Sequence, residues 1–325
     1  MNKEKIKEFN NDYLRENKPN FIIVFVIIFL LIGLINTTPP NNFSEGKLIT
    51  IEKGETIKNT AELLKRENII RSELLFNIVI TLTKSNVVEG KYLFHSKENI
   101  FKVADRVKRG SYQIPTEKIT FVEGETSYQI ADKLKKAFPN FDVDTFYELA
   151  LINEGYLFPD TYEFRLTVSA EEVTKKMIDN FDRQISNISD EIENSSRTLD
   201  EIIKMASIIE GEADSYSRQE VADILWKRID EDMPLQVDAT FVYSIGKSTF
   251  DLTLNDLRNE DNPYNSYVFR GLPPTPINNP GIKAIRSAAR QNDTPYLFFL
   301  TGRDGNMYYA STFEAHKNNR RLYLD

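Results

Sequence analysis

Two carboxylates one residue apart, Glu210 and Glu212, follow an apolar pair in the stretch MASIIEGEADSY. The stretch continues a helical pattern that opens at Thr198. With Ile202 set at 0° and 100° per residue, Met205, Ala206, Ile209 and Ala213 fall within about 60° of it, and Ile203 lies near 100°. Glu210 then lies near 80°, inside the apolar sector, and Glu212 near 280°, at its opposite edge, by the same rough geometry.

An acid in this position has a defined chemistry. A carboxyl group among apolar neighbours loses hydration, which raises its pKa and keeps it protonated near neutral pH, as a general acid must be. The small Ala206 leaves room above Glu210. Gly211 costs the helix about 1 kcal/mol relative to alanine, and a close backbone approach would explain it. From periodicity alone, a boundary glutamate on an ordinary amphipathic helix remains an alternative.

Further polar and aromatic residues lie downstream of this helix. Gln236 and Asp238 precede an apolar and aromatic run in MPLQVDATFVYSIG, and Tyr264, Asn265 and Tyr267 precede the proline-rich GLPPTPINNPG. Sugar rings offer apolar C–H faces and hydroxyls, which suit aromatic and amide side chains. The same residues suit ordinary loop packing equally well.

An internal repeat precedes the helices. ITIEKGETIKNTAELLKRENII begins at Ile49, and ITFVEGETSYQIADKLKKAFPN begins at Ile119, so that identical residues recur at an offset of 70. With a small gap, EGKYLF at Glu89 corresponds to EGYLF at Glu154. Each copy predicts a strand, a helix capped by the threonine of Gly-Glu-Thr, a second helix and a closing YLF strand.

The rest of the chain predicts helices and then a hairpin. Capping boxes open at Ser169, Thr198 and Ser217, each with a glutamate three residues on. The stretch PYLFFLTGRDGNMYYAST predicts a hairpin that turns at residues 303–305. The chain is therefore expected to be α+β, with strands at both ends and helices between them.

Composition excludes several classes of function. A net charge of -8 over 325 residues gives no reason to expect nucleic acid as a partner. The absence of cysteine removes thiolate chemistry and Cys-based zinc sites, and His95 and His316 are the only histidines. No nucleotide-binding loop is present in the sequence. We therefore expect no cofactor and no metal.

An apolar segment lies near the N-terminus. Phe21 to Ile35 carries no charge and would form a helix of about 22 Å, which flanking polar residues extend toward a roughly 30 Å hydrocarbon core. A cleaved signal peptide is the alternative, but the polar lead is long and no A-x-A-like site follows. Positive charges concentrate before the segment: Lys3, Lys5, Lys7, Arg15 and Lys18. The prediction is a single transmembrane helix with a cytoplasmic N-terminus and an extracytoplasmic body.

Several stretches together resemble one family. EGYLFPDTYEF, ASIIEGEA, MPLQVDATFVYSIG, YNSYVFRGLPPTPINNPG, and PYLFFLTG followed by EAH occur in the order expected of the endolytic murein transglycosylases, or YceG-like proteins. The resemblance runs from about Ile119 to the C-terminus. The upstream layout is also similar to theirs: one membrane anchor followed by a LysM-like module. Gly211 departs from the larger residue that many relatives carry.

The resemblance implies a catalytic glutamate, which we assign to Glu210 with Glu212 as the second choice. It implies cleavage of the β-1,4 bond between N-acetylmuramic acid and N-acetylglucosamine, which leaves 1,6-anhydro ends on nascent glycan strands and ends their elongation. Peptidoglycan strands are the implied ligand, and peptidoglycan synthases are candidate partners. The residues expected to hold the glycan are Gln236, Asp238, Tyr264, Asn265, Tyr267 and Glu212.

The expected organisation has five parts: a cytoplasmic tail (1–20), a transmembrane helix (21–38), a linker (39–46), a LysM-like module (47–115) and a mixed α/β catalytic domain (116–325) that contains the second LysM-like repeat. Two other functions remain open. The chain could be a non-catalytic peptidoglycan-binding or division scaffold. It could also be a hydrolytic muramidase that uses Glu210 and a second carboxylate such as Asp238.

Overall fold

A computed structural model describes residues 23–214, 216–247 and 251–324. The chain divides into two compact units, Met1–Pro115 and Thr116–Asp325. Helices and two-stranded antiparallel sheets occur in both units, so that the architecture mixes α and β elements. The predicted cytoplasmic tail, residues 1–20, lies outside the described residues.

The N-terminal apolar segment corrects one prediction. Its described part is an exposed helix, α1, at residues 23–37, and residues 21 and 22 lie outside the described part. A helix of this length rises about 22 Å, less than the roughly 30 Å of a hydrocarbon core. Within the described part of the chain, no helix is both long and apolar enough to cross a membrane. The predicted transmembrane helix at 21–38 is therefore wrong, and the single-pass topology built on it is not supported.

The first unit contains the first copy of the repeat. Its elements are β1 Lys47–Ile51, α2 Ile57–Arg66, α3 Glu73–Leu82, β2 Gly90–Phe94 and α4 Ile100–Arg109. Strands β1 and β2 pair antiparallel, with Ile49 opposite Tyr92. Thr56 caps α2 by accepting a hydrogen bond from the Asn59 N–H. Phe43, which lies within the predicted linker at residues 39–46, is buried in the core of this unit.

The second copy begins the second unit. Its elements are β3 Thr116–Thr120, α5 Ser127–Ala137, α6 Val143–Leu151 and β4 Thr161–Arg165, with β3 and β4 antiparallel. The strand–helix–helix–strand order predicted for both copies is confirmed. The closing strand predicted at EGYLF in the second copy is wrong, because residues 154–157 form a turn and a bend, and the closing strand begins later, at Thr161. The Asn279 Oδ1 accepts the N–H groups of Gly155 and Leu157 and holds this turn.

Helices then dominate up to the C-terminal hairpin. The elements are α7 Ala170–Ser186, α8 Ser189–Glu193, α9 Leu199–Glu212, α10 Arg218–Asp230, α11 Ala239–Ile245, α12 Leu254–Leu257, α13 Ile282–Ala289, β5 Phe298–Thr301, β6 Met307–Ala310 and α14 Phe313–Tyr323. The hairpin at 303–305 is confirmed. So are the capping boxes at Ser169 and Thr198. The box at Ser217 is wrong, because its hydroxyl donates to Asp214 instead of capping α10.

The core of the second unit holds α9 in place. Helix α9 packs along α13, and Trp226 of α10 is fully buried with its indole N–H donating to the Ala288 carbonyl. The proline-rich loop is tied to α9 at Ser207. The Ser207 hydroxyl accepts the Ile277 N–H at 3.0 Å, and the Asn278 Nδ2 donates to the Ser207 carbonyl at 2.8 Å. These bonds set the loop beside the end of α9, where both glutamates lie.

Candidate active site

A cavity of about 980 Å³ opens in the second unit. Its walls come from the β3–α5 turn, α6, the end of α9, α11, and the loop segments 262–264 and 277–278. This volume lies in the usual range for ligand sites. Among the described residues that line it there are three carboxylates, Glu154, Glu212 and Asp238, and no lysine, arginine or histidine. The wall therefore favours neutral or amphipathic ligands over anions.

Glu212 lines the cavity at the last turn of α9. Its Oε1 accepts the Ala239 N–H at 3.1 Å. Burial raises the pKa of Glu212, the Ala239 N–H opposes that rise, and the negative charge of Asp238 adds to it. Glu212 forms no ion pair within the described part of the chain. The site thus holds a poorly hydrated acid that favours its protonated form.

Gly211 explains how this contact is reached. A Cβ at this position would lie 3.2 Å from the Cβ of Ala239, closer than most such contacts. The missing side chain lets the first turn of α11 approach the end of α9. That approach brings the Ala239 N–H to Glu212. The helix cost of glycine at this position, about 1 kcal/mol, therefore has a local reason.

Glu210 occupies a different environment on the same helix. Its Oε1 accepts from the Arg218 guanidinium at 2.5 Å, its Oε2 accepts the Gly281 N–H at 2.9 Å, and its side chain is 5% exposed. Burial, helped by the charge of Glu123, raises the pKa of Glu210, and the Gly281 N–H and Arg218 only partly oppose that rise. Glu210 is not among the residues that line the cavity, although its Cγ lies beside Gly124, which does. Both carboxylate oxygens are already engaged within the protein.

Asp238 and Tyr267 form a pair behind Glu212. Asp238 lines the cavity, and its Oδ1 accepts from the Tyr267 hydroxyl at 2.8 Å. Tyr267 itself does not line the cavity. Burial and the Asp238 carboxylate raise the pKa of the Tyr267 phenol, so that it stays a hydrogen-bond donor. The pair fixes a negative charge next to Glu212.

The remaining predicted glycan-binding residues are dispersed. Tyr264 lines the cavity, and its hydroxyl shares a 2.8 Å hydrogen bond with Thr275. Asn265 is fully buried, and its Nδ2 donates to the carbonyls of Leu257 and Asn259 at 3.2 and 2.8 Å, which stabilises its loop. Gln236 is exposed, has a positive φ of 53°, and does not line the cavity. Of the predicted set, the cavity unites Glu212, Asp238 and Tyr264.

Glu154 is a cavity residue that sequence reasoning missed. It is 3% exposed, and its carboxylate accepts from the Ser127 N–H at 3.0 Å and from the Asn279 Nδ2 at 2.9 Å. The Tyr243 hydroxyl of α11 donates to it at 3.4 Å. Burial raises the pKa of Glu154 to about 7, against the pull of these donors. The correspondence of Glu89 and Glu154 in the repeat marked the position, but not its burial.

Asn279 completes this network. Its backbone N–H and its Nδ2 both donate to the Glu125 carbonyl, and the Gly124 N–H donates to the Asn279 carbonyl. Asn279 of the INNPG stretch therefore connects the proline-rich loop to the β3–α5 turn and to the turn at Gly155.

The part of the chain that the structure describes contains no group of three or more acidic, histidine or cysteine residues placed to hold a metal ion.

Comparison with known proteins finds similarity to YceG-like proteins and endolytic murein transglycosylases. The sequence model of the YceG-like family matches residues 49–322. An endolytic murein transglycosylase of Bacillus subtilis (strain 168) is 28% identical over 305 residues, which covers 85% of this chain and 84% of that protein. One from Streptococcus pneumoniae serotype 2 is 24% identical over 353 residues, covering 92% of this chain and 64% of that protein. A crystal structure of a YceG-like protein from Listeria monocytogenes aligns with a TM-score of 0.57 at 26% identity, over 84% of this chain and 99% of that one.

Proposed function

Because the chain belongs to the YceG-like family, as its motifs predicted, we propose that it is an enzyme that cleaves peptidoglycan glycan strands by lytic transglycosylation. The names of its curated relatives, endolytic murein transglycosylases, support an enzyme over a non-catalytic scaffold. The single observation that carries the proposal is Glu212, a poorly hydrated carboxyl group in the wall of the cavity. Among the described residues it has no ion-pair partner, and those that line the cavity include no cationic side chain.

One acid is sufficient for the proposed chemistry. The Glu212 carboxyl group protonates the glycosidic oxygen, and the bond from that oxygen to C1 of N-acetylmuramic acid breaks. The C6 hydroxyl of the same sugar attacks C1, and the Glu212 carboxylate takes the hydroxyl proton. No water is consumed, a 1,6-anhydro end forms, and Glu212 returns to its protonated state. Closure within one sugar has a high effective molarity, which favours it over attack by water.

The geometry favours Glu212 over Glu210 as this acid. A general acid must reach the substrate and carry a proton. Glu212 lines the cavity, and burial and Asp238 both raise its pKa. Burial raises the pKa of Glu210 as well, but both of its carboxylate oxygens already bind Arg218 and the Gly281 N–H, and it does not line the cavity. We therefore propose that Glu212 does the chemistry and that Glu210 positions Arg218 and the proline-rich loop.

The organisation of the chain forms part of the proposal. Residues 47–115 would be a LysM-like module and residues 116–325 a catalytic domain containing a second LysM-like repeat. The boundary between the two compact units falls after Pro115, and each repeat copy has the same strand–helix–helix–strand order. Both observations support this division. The site of action would be the cell wall, on nascent strands, next to the peptidoglycan synthases that produce them.

The proposal is tested by incubating the purified protein with nascent glycan strands and analysing the products by mass spectrometry. We expect internal cuts that leave 1,6-anhydro ends and shorter strands. Strand binding with no new ends of any kind would instead support the scaffold function.

A hydrolytic muramidase is the second candidate, and Asp238 is the observation that favours it. Glycoside hydrolases commonly use two carboxylates, and Glu212 and Asp238 both line the cavity. In that mechanism Asp238 would activate water or attack C1. Its hydrogen bond from Tyr267 occupies one carboxylate oxygen and supports a role in tuning Glu212 instead.

A further inference from the structure

Two tyrosines stand exposed on the cavity wall that the second repeat supplies. Tyr128 of α5 is 70% exposed and Tyr147 of α6 is 36% exposed, and both line the cavity. Their rings meet edge to face, with centroids 6.1 Å apart at 83°. Neither was among the residues that the sequence indicated as functional. Exposed aromatic rings at a cavity commonly mark a contact for a ligand.

The repeat shows that the scaffold does not require these rings. At the offset of 70 residues, Lys58 stands where Tyr128 does and Asn77 where Tyr147 does. The first copy nevertheless has the same two strands and two helices, with α2 and α3 in place of α5 and α6. The aromatic pair therefore has no necessary part in folding this unit. Its presence in the copy that borders the cavity needs a different reason.

A second aromatic pair lies on another part of the cavity wall. Tyr243 of α11 and Tyr264 have ring centroids 5.4 Å apart, and both line the cavity. The cavity thus carries two tyrosine pairs, on elements other than the helix that carries Glu212. A polymer with several similar rings, each with an apolar face and hydroxyl edges, matches such a surface. The lack of cationic side chains among the described lining residues disfavours a phosphate-bearing ligand.

We propose that Tyr128 and Tyr147 form a sugar-binding subsite, the Tyr128–Tyr147 platform, which binds a pyranose ring of the glycan strand beyond the rings that flank the cleaved bond. The identity of the ligand rests on the proposed function. The platform holds the strand along the cavity, so that the enzyme prefers long strands to short oligosaccharides. It contributes to binding and leaves the chemical step at Glu212 unchanged.

The test replaces the platform with the residues of the first repeat. In the Tyr128→Lys/Tyr147→Asn variant, we expect KM for long strands to rise about tenfold and kcat to stay within about twofold, since a contact made equally in the ground state and the transition state acts on KM alone. The rate on the shortest oligosaccharide that is still cleaved should not change. The Tyr128→Phe/Tyr147→Phe variant keeps the ring faces and should stay within about threefold of the parent protein. Tyr216→Ala, at a tyrosine that is 97% exposed and outside the cavity lining, is the control.

Binding is measured separately from cleavage. In a Glu212→Gln background, titration calorimetry with defined glycan strands should show Kd about tenfold weaker when the platform is replaced. Unchanged Kd and KM in the replaced variant would overturn the platform while leaving the proposed function intact. Platform-dependent binding by a parent protein that never cleaves would refute the proposed function and support the platform. A parent protein that neither binds nor cleaves glycan would refute both.

Discussion

The two units differ in how each accommodates a buried acid. In the first unit Glu98 is buried and pairs with the equally buried Arg106 at 2.9 Å. In the second unit Glu154 is buried without an ion pair among the described residues, and it accepts only neutral donors from Ser127, Asn279 and Tyr243. A compensated buried pair is compatible with a purely structural role. An uncompensated acid at a cavity wall is typical of a functional site.

The same contrast is visible at matched positions. Glu89 of the first copy is exposed, whereas its counterpart Glu154 is buried. The difference comes from the proline-rich loop, whose Asn279 donates to Glu154 and to the neighbouring turn. One scaffold therefore supports an exposed acid in the first copy and a buried acid in the second.

The largest effect is expected at the acid itself. Glu212→Gln should lower kcat by roughly a thousandfold or more, because an amide cannot donate and reclaim the proton. Glu210→Gln should lower kcat by less than about tenfold, through a displaced Arg218, with its main cost in stability because a buried ion pair loses one partner. Anhydro-end formation measured by mass spectrometry gives both rates, and circular dichroism confirms that both variants are folded. A reversed order of the two losses would assign the chemistry to Glu210.

A smaller loss is expected at the buried acid of the second copy. Glu154→Gln should lower kcat/KM by about tenfold, because an amide nitrogen would face the Ser127 N–H and loosen the proline-rich loop. Glu89→Gln, the matched change in the first copy, should leave kcat/KM unchanged. Equal effects at the two positions would remove the functional distinction between the copies.

Glu154 should also make stability depend on pH. Its folded pKa of about 7 lies above the ordinary value of 4.5, so the folded state holds the proton more tightly. The free energy of unfolding should therefore fall as pH rises from 4.5 through 7, by up to about 3 kcal/mol. Thermal unfolding of the parent protein and of Glu154→Gln, at pH 5 and pH 8, isolates this contribution. The same change in stability with pH in both proteins would show that Glu154 does not cause the pH dependence.

The smallest effect is expected at the matched glycines. Gly54 and Gly124 have φ of 78° and 82°, so alanine at either should cost about 1 kcal/mol of stability. A Cβ at position 124 would lie 3.4 Å from the Glu210 Cγ, whereas nothing lies within 4 Å of one at position 54. We expect kcat/KM to fall about threefold for Gly124→Ala only, because small displacements at a site reduce rate. Activity losses of equal size would indicate a general effect of strain.

Local sequence signals predicted the scaffold well. The repeat predicted the strand–helix–helix–strand order of both copies, and the Ser169 and Thr198 boxes predicted two helix starts, because such signals depend on neighbours in sequence. The failures came from distant contacts. The EGYLF turn is set by Asn279, more than a hundred residues away, and Ser217 is drawn to Asp214. The predicted membrane span exceeded the helix that the described residues form.

The site was predicted only in part, because local sequence signals do not report contacts between distant elements. The helical wheel selected Glu210 and Glu212, but a wheel describes one helix alone. It does not show which other elements pack against each side chain. Arg218 and Gly281 face Glu210, while α11 and the cavity face Glu212. The sequence did not indicate three further cavity residues, Glu154, Tyr128 and Tyr147, because separate elements of the fold bring them to the same cavity.

In the proposed mechanism one protonated glutamate suffices because the sugar supplies its own nucleophile. Cleavage in ¹⁸O-labelled water, with the new strand ends analysed by mass spectrometry, separates this mechanism from hydrolysis. Lytic cleavage gives 1,6-anhydro ends without label. New reducing ends that carry ¹⁸O would contradict it and show that water is the nucleophile.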